Sequence, residues 1–473
     1  MSAAACLLDD VVESSALEQD LGARLLVDLE ADREASLDER IARIDATLAE
    51  LDQLFCRQMD AILHAPRFQQ LEATWMGLRY LVGDDAGQGG VQIRVLNITK
   101  KELIKDFQSA LDFDHSTVFR RVYEEEFGTF GGSPYGALIG DFDISRQPAD
   151  LYLLEQMSHI AAAAHAPFIA AAAPGMFGVE RYAELSGPRD LAKVFETADY
   201  ARWKTFRDTE DARYVGLALP RFLARLPYHP VHGNCPQGFA YTEDVDAGDD
   251  AAHLWCNASY AFGVRLTRAF IDYGWCAAIR GAKGGGLVDD LWVDGFHMGG
   301  HTVAAKCPVD AVISDRREKE LSDLGFISLV FCKGSEYAAF FSAQSAQRVK
   351  RYDTEAANAN AVLSAQLQYI FAVSRIAHYM KVMMRAKVGS FVCASEVEDY
   401  LNRWVTRYVL LDDDASQERK AQFPLRAASV HVSEVAGRPG VYRAVSFLRP
   451  HFQLDELSVS LRLVAELLAA IQA

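Results

Sequence analysis

The sequence predicts an α+β fold of several domains: N-terminal helices, a central mixed α/β domain, and a C-terminal region of long helices followed by strands. Three observations carry this expectation. Apolar residues recur every three or four positions from Leu37 to Ile62, the spacing of one helix face. Short apolar runs, VQIRVL, GALIGDF, PFIAAAA and VGLALP, then alternate with helical stretches, as in layered α/β or α+β domains. Close to the C-terminus, Leu457, Val459, Leu461 and Leu463 alternate strictly with polar residues, the period of a half-buried strand.

Taken in chain order, residues 1–65 read as a helical region. SALEQDLGARLLVDLE, from Ser15 to Glu30, is a short acidic helix candidate. After a polar stretch comes the longer helix, whose seam Leu37, Ile41, Ile44, Leu48, Leu51, Phe55 and Ile62 is interrupted at Gln58. A seam of about three and a half heptads fits two readings, a surface helix packed on its own domain or one that pairs with a partner helix. Residues 66–345 form the expected central domain, beginning after His64-Ala65-Pro66. Residues 346–473 form the third, with helical spacing from Thr354 to Lys387, a second helix from Ser395 to about Leu411, and an acidic break from Asp412 to Asp414. Beyond it AASVHVSEV and VYRAVSFL flank AGRPG, a hairpin with a loop longer than two residues. The final alternating strand has exposed edges. It pairs either within its own domain or with another chain.

At 473 residues, with 50% hydrophobic and 24% charged residues, the chain can bury more than one core. Its formal charge of -17 repels phosphate backbones and anionic lipid, and no local basic patch offsets this, so neither nucleic acid nor a membrane is expected as a partner. The start, MSAAACLLDDVVESS, has no Lys or Arg, unlike a secretory signal. The most apolar stretch, Ile160 to Pro174, contains His165 and is broken by Pro167, short of a bilayer span. The eight cysteines are scattered without a CxxC pair, which fits a reducing cytoplasm.

Chemistry-bearing clusters are few. His229, His232 and Cys235 lie within seven residues, and His297, His301 and Cys307 form a second group; these are ligand types that zinc prefers, but neither group has a known ligand spacing. Gly281-Ala-Lys283-Gly284-Gly285-Gly286 resembles a phosphate cradle without the Gly-Lys-Ser/Thr ending, so a flexible or tightly turned loop is expected. No GxSxG or HExxH is present, and no catalytic residue, cofactor or metal is assigned. The mixed charges of Arg207, Asp208, Glu210, Asp211 and Arg213 fit either an interfacial ion-pair network or a surface helix end.

Longer words go further. Ile62-Leu63-His64 followed by Leu71-Glu72-Ala73-Thr74-Trp75-Met76-Gly77-Leu78 resembles the "ILH, then ESxWRGL" segment of the TssC/VipB family, the large subunits of type VI secretion sheaths, with Met76 in place of the usual Arg. Thr129-Phe130-Gly131-Gly132, Ala164-His165-Ala166-Pro167-Phe168-Ile169, the stretch from Glu210 to Leu217, the stretch from Pro220 to Tyr228, Arg375-Ile376-Ala377-His378-Tyr379-Met380-Lys381 and Leu448-Arg449-Pro450-His451-Phe452-Gln453 also resemble it, in family order from about residue 50 onward. The resemblance implies a structural, non-enzymatic sheath-subunit fold that pairs with the small subunit TssB/VipA and polymerises with copies of itself around an Hcp tube on a baseplate. The sheath then contracts to propel the tube. Terminal segments interlace between protomers in this family, which gives Leu457 to Leu463 a role in strand exchange. Recycling by the AAA+ unfoldase ClpV is also implied, with Ser15 to Glu30 as the candidate recognition helix. Two other classes make contrasting predictions: a non-polymerising tube adaptor would have a fixed mass in solution, and a metal-dependent enzyme would be built on His229, His232 and Cys235.

Overall fold

The computed structural model describes residues 36–451 apart from 84–89, 188, 236–238, 246–251, 294, 299–300, 305–306, 336, 389, 391–392, 413 and 435–441. The terminal strand Leu457–Leu463 and the Ser15–Glu30 helix expected above lie outside the described residues.

Two compact units are distinguished. One joins the chain up to Glu72 with Leu226–Leu254; the other holds Ala73–Arg225 and the chain from Trp255 onward. The first unit is organised by helix α1 (Leu37–Leu63). Its start is fixed by a capping box: the Ser36 hydroxyl accepts from the Glu39 N–H at 3.4 Å, and the Glu39 carboxylate accepts from the Ser36 N–H at 2.9 Å, so two otherwise orphaned helix donors are satisfied. At the other end the loop from Leu226 returns to the helix. Asp60 accepts from the Tyr241 hydroxyl and, at 3.2 Å, from the Asp244 N–H. Buried Glu243 lies 3.3 Å from His64 and accepts from the Tyr228 N–H at 2.9 Å. A carboxylate taken out of water needs such partners.

Helix α2 (Pro66–Val82) follows, then α3 (Lys100–Ser109), β1 (Leu138–Ile144), α4 (Pro148–Ala164), β2 (Phe168–Ala172), β3 (Val215–Leu219), α5 (Ala258–Tyr273), β4 (Leu287–Val288), α6 (Asp315–Asp323), β5 (Ile327–Phe331) and β6 (Ala338–Phe340). The strands make one six-stranded sheet, β1-β2-β3-β5-β6-β4, parallel through β5 and antiparallel beyond it. β2 and β3 are apolar along their whole length, as a sheet covered on both faces requires. Phe168, Ala170, Ala172, Val215, Leu217 and Leu219 share a core with Leu153, Leu154 and Ile160 of α4. Ile169 and Gly216 point to the opposite face. A Cβ at Gly216 would sit 2.8 Å from both Ile169 Cδ1 and Leu367 Cδ1, so glycine is what lets that face close.

The C-terminal region contains α7 (Leu367–Lys387), α8 (Ala394–Val405) and the strands β7 (Leu425–Glu434) and β8 (Tyr442–Pro450), paired antiparallel. The long helical stretch expected from Thr354 is two helices, with a break between Ser364 and Leu367. Ile376, Met380, Val397, Leu401, Leu425, Val430 and Val432 form its core with Trp275. Helix α7 is also bound to α4. The buried His378 Nε2–H donates to the Ala164 carbonyl at 2.8 Å, and its Nδ1 is buried without a partner. Lys381 lies over the rings of Phe127 and Tyr123, 3.2 and 5.0 Å from their centroids, a cation–π arrangement.

Burial pushes the His378 imidazole down to about 4, with Arg375, His165 and Lys381 acting the same way and the Ala164 bond opposing them. Burial, then Lys381, also lowers His165. Both rings therefore bind protons more weakly in the folded than in the unfolded chain, where the ordinary value is about 6.5. Their contribution is present above about pH 6.5 and is lost as the pH falls towards 4. Thermal unfolding followed from pH 7 to pH 4 should show a loss on the order of 2–3 kcal/mol assignable to His378. The His378→Gln chain, which keeps a neutral donor there, should show a flatter profile over the same range.

Candidate assembly surfaces

The seam read from the sequence lies on α1, and most of it is open. Leu37 is 73% exposed, Ile41 48%, Ile44 37%, Leu48 53% and Phe55 46%; Leu51 is half-buried. Phe55 makes an edge contact with Phe239, 6.4 Å between centroids, so the apolar face is covered towards its C-terminal end and bare before it. Sequence reasoning missed the flank of this seam. Asp38, Asp45 and Asp52 recur one heptad apart beside the apolar stripe and are all exposed, the positions from which coiled-coil charges choose a partner. A heptad register laid on the sequence would have found them.

The hairpin offers a different kind of surface. On β7, the Val430 N–H donates to the Asn402 side chain at 2.8 Å, the Val430 carbonyl accepts from it at 2.7 Å, and the Val432 N–H donates to Glu398 at 2.7 Å. Side chains of α8 thus take the outward-pointing groups of β7. Val430 lies opposite Ser446, and Val432 opposite Ala444. Since outward-pointing residues face each other across an antiparallel pair, Ala444, Ser446 and Leu448 turn their backbone groups away from β7. No described residue pairs with these groups. Val445 and Phe447 are 42% and 65% exposed on the sheet face. Among the described residues, one edge of the hairpin is closed by α8 and the other is left unpaired.

The chemistry-bearing clusters have local explanations. The His229 and His232 rings are 5.6 Å apart between centroids, His232 Nδ1 lies 3.1 Å from the Pro227 carbonyl, and Cys235 Sγ donates to the Tyr241 carbonyl at 2.9 Å. Among the described residues no group of three or more His, Cys, Asp or Glu is placed to hold a metal ion. Cys307 is half-buried, whereas the side chains of His297 and His301 lie outside what is described. In the glycine loop the Gly284 and Gly286 N–H groups donate to the Gly281 carbonyl, at 3.2 and 3.0 Å, and the Gly281 N–H donates to the Phe340 carbonyl at 2.7 Å. These amides are spent within the fold, and the loop is a tight closure on β6. Gly285, at φ +91°, would put a Cβ 2.1 Å from the Ala278 carbonyl oxygen. Residues of the mixed-charge cluster find partners within the chain, although Asp208 and Glu210 are exposed and Asp211 is half-buried. Arg207 is buried and donates to the Ala346 and Asp323 carbonyls, Arg348 pairs with Asp208 at 2.7 Å, and His159 with Asp211 at 2.8 Å. No helix of the described residues is long and apolar enough to cross a membrane.

An exposed heptad face and a strand edge that the described residues leave unpaired are features of a protein that assembles with others. Comparison with known proteins agrees. The family model for the EvpB/VC_A0108 tail sheath N-terminal domain matches residues 45–347, and the model for its tail sheath gpW/gp25-like domain matches residues 356–467. The chain is 46% identical over 442 residues to the type VI secretion system sheath protein TssC1 of Pseudomonas aeruginosa, an alignment covering 92% of this chain and 88% of that protein. A chain in the cryo-EM structure of the anti-feeding prophage baseplate aligns with a TM-score of 0.38 at 9% identity, covering 80% of this chain and 84% of its own length. The class is therefore that of tail sheath proteins. Within it, the chain belongs to the TssC/VipB family of type VI secretion sheath large subunits.

If the α1 seam is as open as described, charges placed on it cost the isolated chain little, since exposed substitutions usually shift stability within about 0.5 kcal/mol. The Ile41→Asp, Leu48→Asp chain should unfold at the wild-type denaturant midpoint, whereas Leu401→Asp, in the C-terminal core, should destabilise by several kcal/mol.

Proposed function

We propose that the chain works as the large subunit of a type VI contractile sheath, pairing with the small subunit TssB/VipA and polymerising around the Hcp tube. The observation that carries this reading is the open β8 edge: Ala444, Ser446 and Leu448 offer backbone donors and acceptors, and the sequence supplies an alternating strand, Leu457 to Leu463, shortly after β8. Strand addition at such an edge gives directional hydrogen bonds that persist while domains turn about them. Contraction would then be the relaxation of an extended lattice to a better-packed one, a bistable assembly needing no cofactor. Further partners on this reading are the baseplate, to which the sheath is attached in the cytoplasm, and the unfoldase ClpV, whose candidate helix at Ser15 to Glu30 precedes α1. The stripe Ile41, Ile44, Leu48, Leu51 and Phe55, exposed except at half-buried Leu51, is the site for a partner helix. The recurrent Asp38, Asp45 and Asp52 call for basic residues on that helix.

Negative-stain electron microscopy of the chain co-expressed with its small subunit tests the proposal. Hollow tubes are expected from the full-length chain, and dimers or short fragments from a chain ending before Leu457. Dispersed particles of one concentration-independent mass from the full-length chain would contradict the proposal and favour a non-polymerising adaptor.

A further inference from the structure

A cavity of about 390 Å³ is lined by the turn before β3, by residues between Gln347 and Tyr352, and by the helix Glu355–Ser364. Three of the lining residues are cations, Arg213, Arg348 and Lys350, and one is a carboxylate, Glu210; Val349, Ala357 and Ala361 supply apolar wall. Hydrogen bonds fix its frame. The Arg348 N–H donates to the carbonyl of buried Arg207 at 2.8 Å, and Gln347 Nε2 donates to the Thr209 carbonyl at 3.2 Å. Asn358 holds Tyr352 at the rim, accepting from its N–H at 2.6 Å and donating to its carbonyl at 2.9 Å. The cations have partners within the chain: Arg348 pairs with Asp208 at 2.7 Å, and Arg213 and Lys350 with Glu210 at 3.5 and 3.9 Å. Three cations thus share two carboxylates, in a chain whose formal charge is -17.

Where copies of one acidic chain meet, a site with positive charge in excess is matched by an acidic surface of the neighbour. Four large apolar side chains of the described residues are more exposed than the rest, Leu111 (96%), Val388 (82%), Leu411 (82%) and Phe130 (81%), and two of them precede carboxylates. After Leu111, Asp112 accepts from the Phe113 N–H at 2.7 Å and Asp114 pairs with His115 at 2.6 Å. After Leu411, Asp412 accepts from the Asp414 N–H at 3.0 Å, and Asp412 and Asp414 are both exposed and in no described ion pair. This acidic knob has a fixed base: the Leu410 N–H donates to the Leu425 carbonyl of β7 at 2.8 Å, and beyond the knob the Ser416 side chain accepts from the Arg419 N–H at 3.4 Å. We infer that Leu411, Asp412 and Asp414 of one copy seat in the cavity of a second copy, Leu411 against Val349, Ala357 and Ala361, and the carboxylates against Arg213, Arg348 and Lys350. Two different surfaces meeting in this way make a heterologous contact, which propagates into a helical filament when its rotation does not close a ring. The inference rests on the sheath reading above and adds a side-chain contact between large subunits to the strand addition at β8.

Charge reversal in the full-length chain, co-expressed with the small subunit and scored as pelleted tubes, tests it. The Arg348→Glu, Lys350→Glu chain and the Asp412→Lys, Asp414→Lys chain should each keep the wild-type denaturant midpoint, because all four residues are exposed. Each should give about tenfold fewer tubes or less. A chain carrying all four changes has opposite charges at every contact again and should regain most of the wild-type yield, which a folding defect would not allow. In wild-type tubes made from labelled and unlabelled chains, zero-length carbodiimide coupling should join Lys350 to Asp412 or Asp414 between copies. A wild-type yield from either reversed pair would overturn the inference and leave the sheath reading intact. If the fourfold chain is not rescued, the wild-type coupling decides, and Lys350 joined to Glu210 alone would overturn the inference. Absence of tubes from the wild-type chain would overturn both.

Discussion

Backbone amides and carbonyls withdrawn from water have to find partners, and this constraint orders the molecule. In the six-stranded sheet it is met by neighbouring strands and by apolar side chains on both faces, with Gly216 allowing the closest approach. The same rule shapes the glycine loop at 281–286, where the Gly281, Gly284 and Gly286 amides are turned inward onto the Phe340 and Gly281 carbonyls. It also makes the exception informative. β8 leaves groups on one edge unpaired by the described residues. This is a place where another chain can supply what the fold does not.

The contrast between the two edges of the hairpin carries much of the account. Asn402 and Glu398 on α8 take the outward groups of β7, which bars that side from further pairing, much as natural sheets protect their edges. On the proposed reading, addition would then fall to β8. Helix α7, which packs beneath this hairpin, is bound to α4 through the His378 donor on the Ala164 carbonyl, and Lys381 lies over Phe127 of the helical segment before β1. A strand joined to β8 is consequently connected, through α7, to the main sheet. Force applied at the strand has a continuous packed route into the body of the subunit.

Much of this was legible in the sequence, and the remainder was hidden for identifiable reasons. Periodicity gave α1, the helices of the C-terminal region and the hairpin, because each is a local pattern that tertiary contacts reinforce. The exposure of Ile41, Ile44 and Leu48 was left open, since a heptad seam does not say who covers it. The return of Tyr228, Tyr241 and Glu243 to Asp60 and His64 spans more than 160 residues and has no local signature. VQIRVL reads as a strand by composition but belongs to no sheet, since composition is blind to the missing neighbour. Nor could spacing tell which hairpin edge is closed: Asn402 and Glu398 are ordinary helix-surface residues until the fold sets them beside Val430 and Val432. The imidazole and thiol clusters were correctly readable only as residue types, because ligation depends on where the rings point.

A cryo-EM map of the co-purified polymer, resolved well enough to trace strands, bears most directly on the central claim that assembly proceeds by strand addition at open edges. The account predicts that β7 and β8 lie within a wider sheet, with the added strand bonded to Ala444, Ser446 and Leu448 and none bonded to β7. A hairpin left two-stranded in the polymer, with protomers joined through side chains alone, would contradict it.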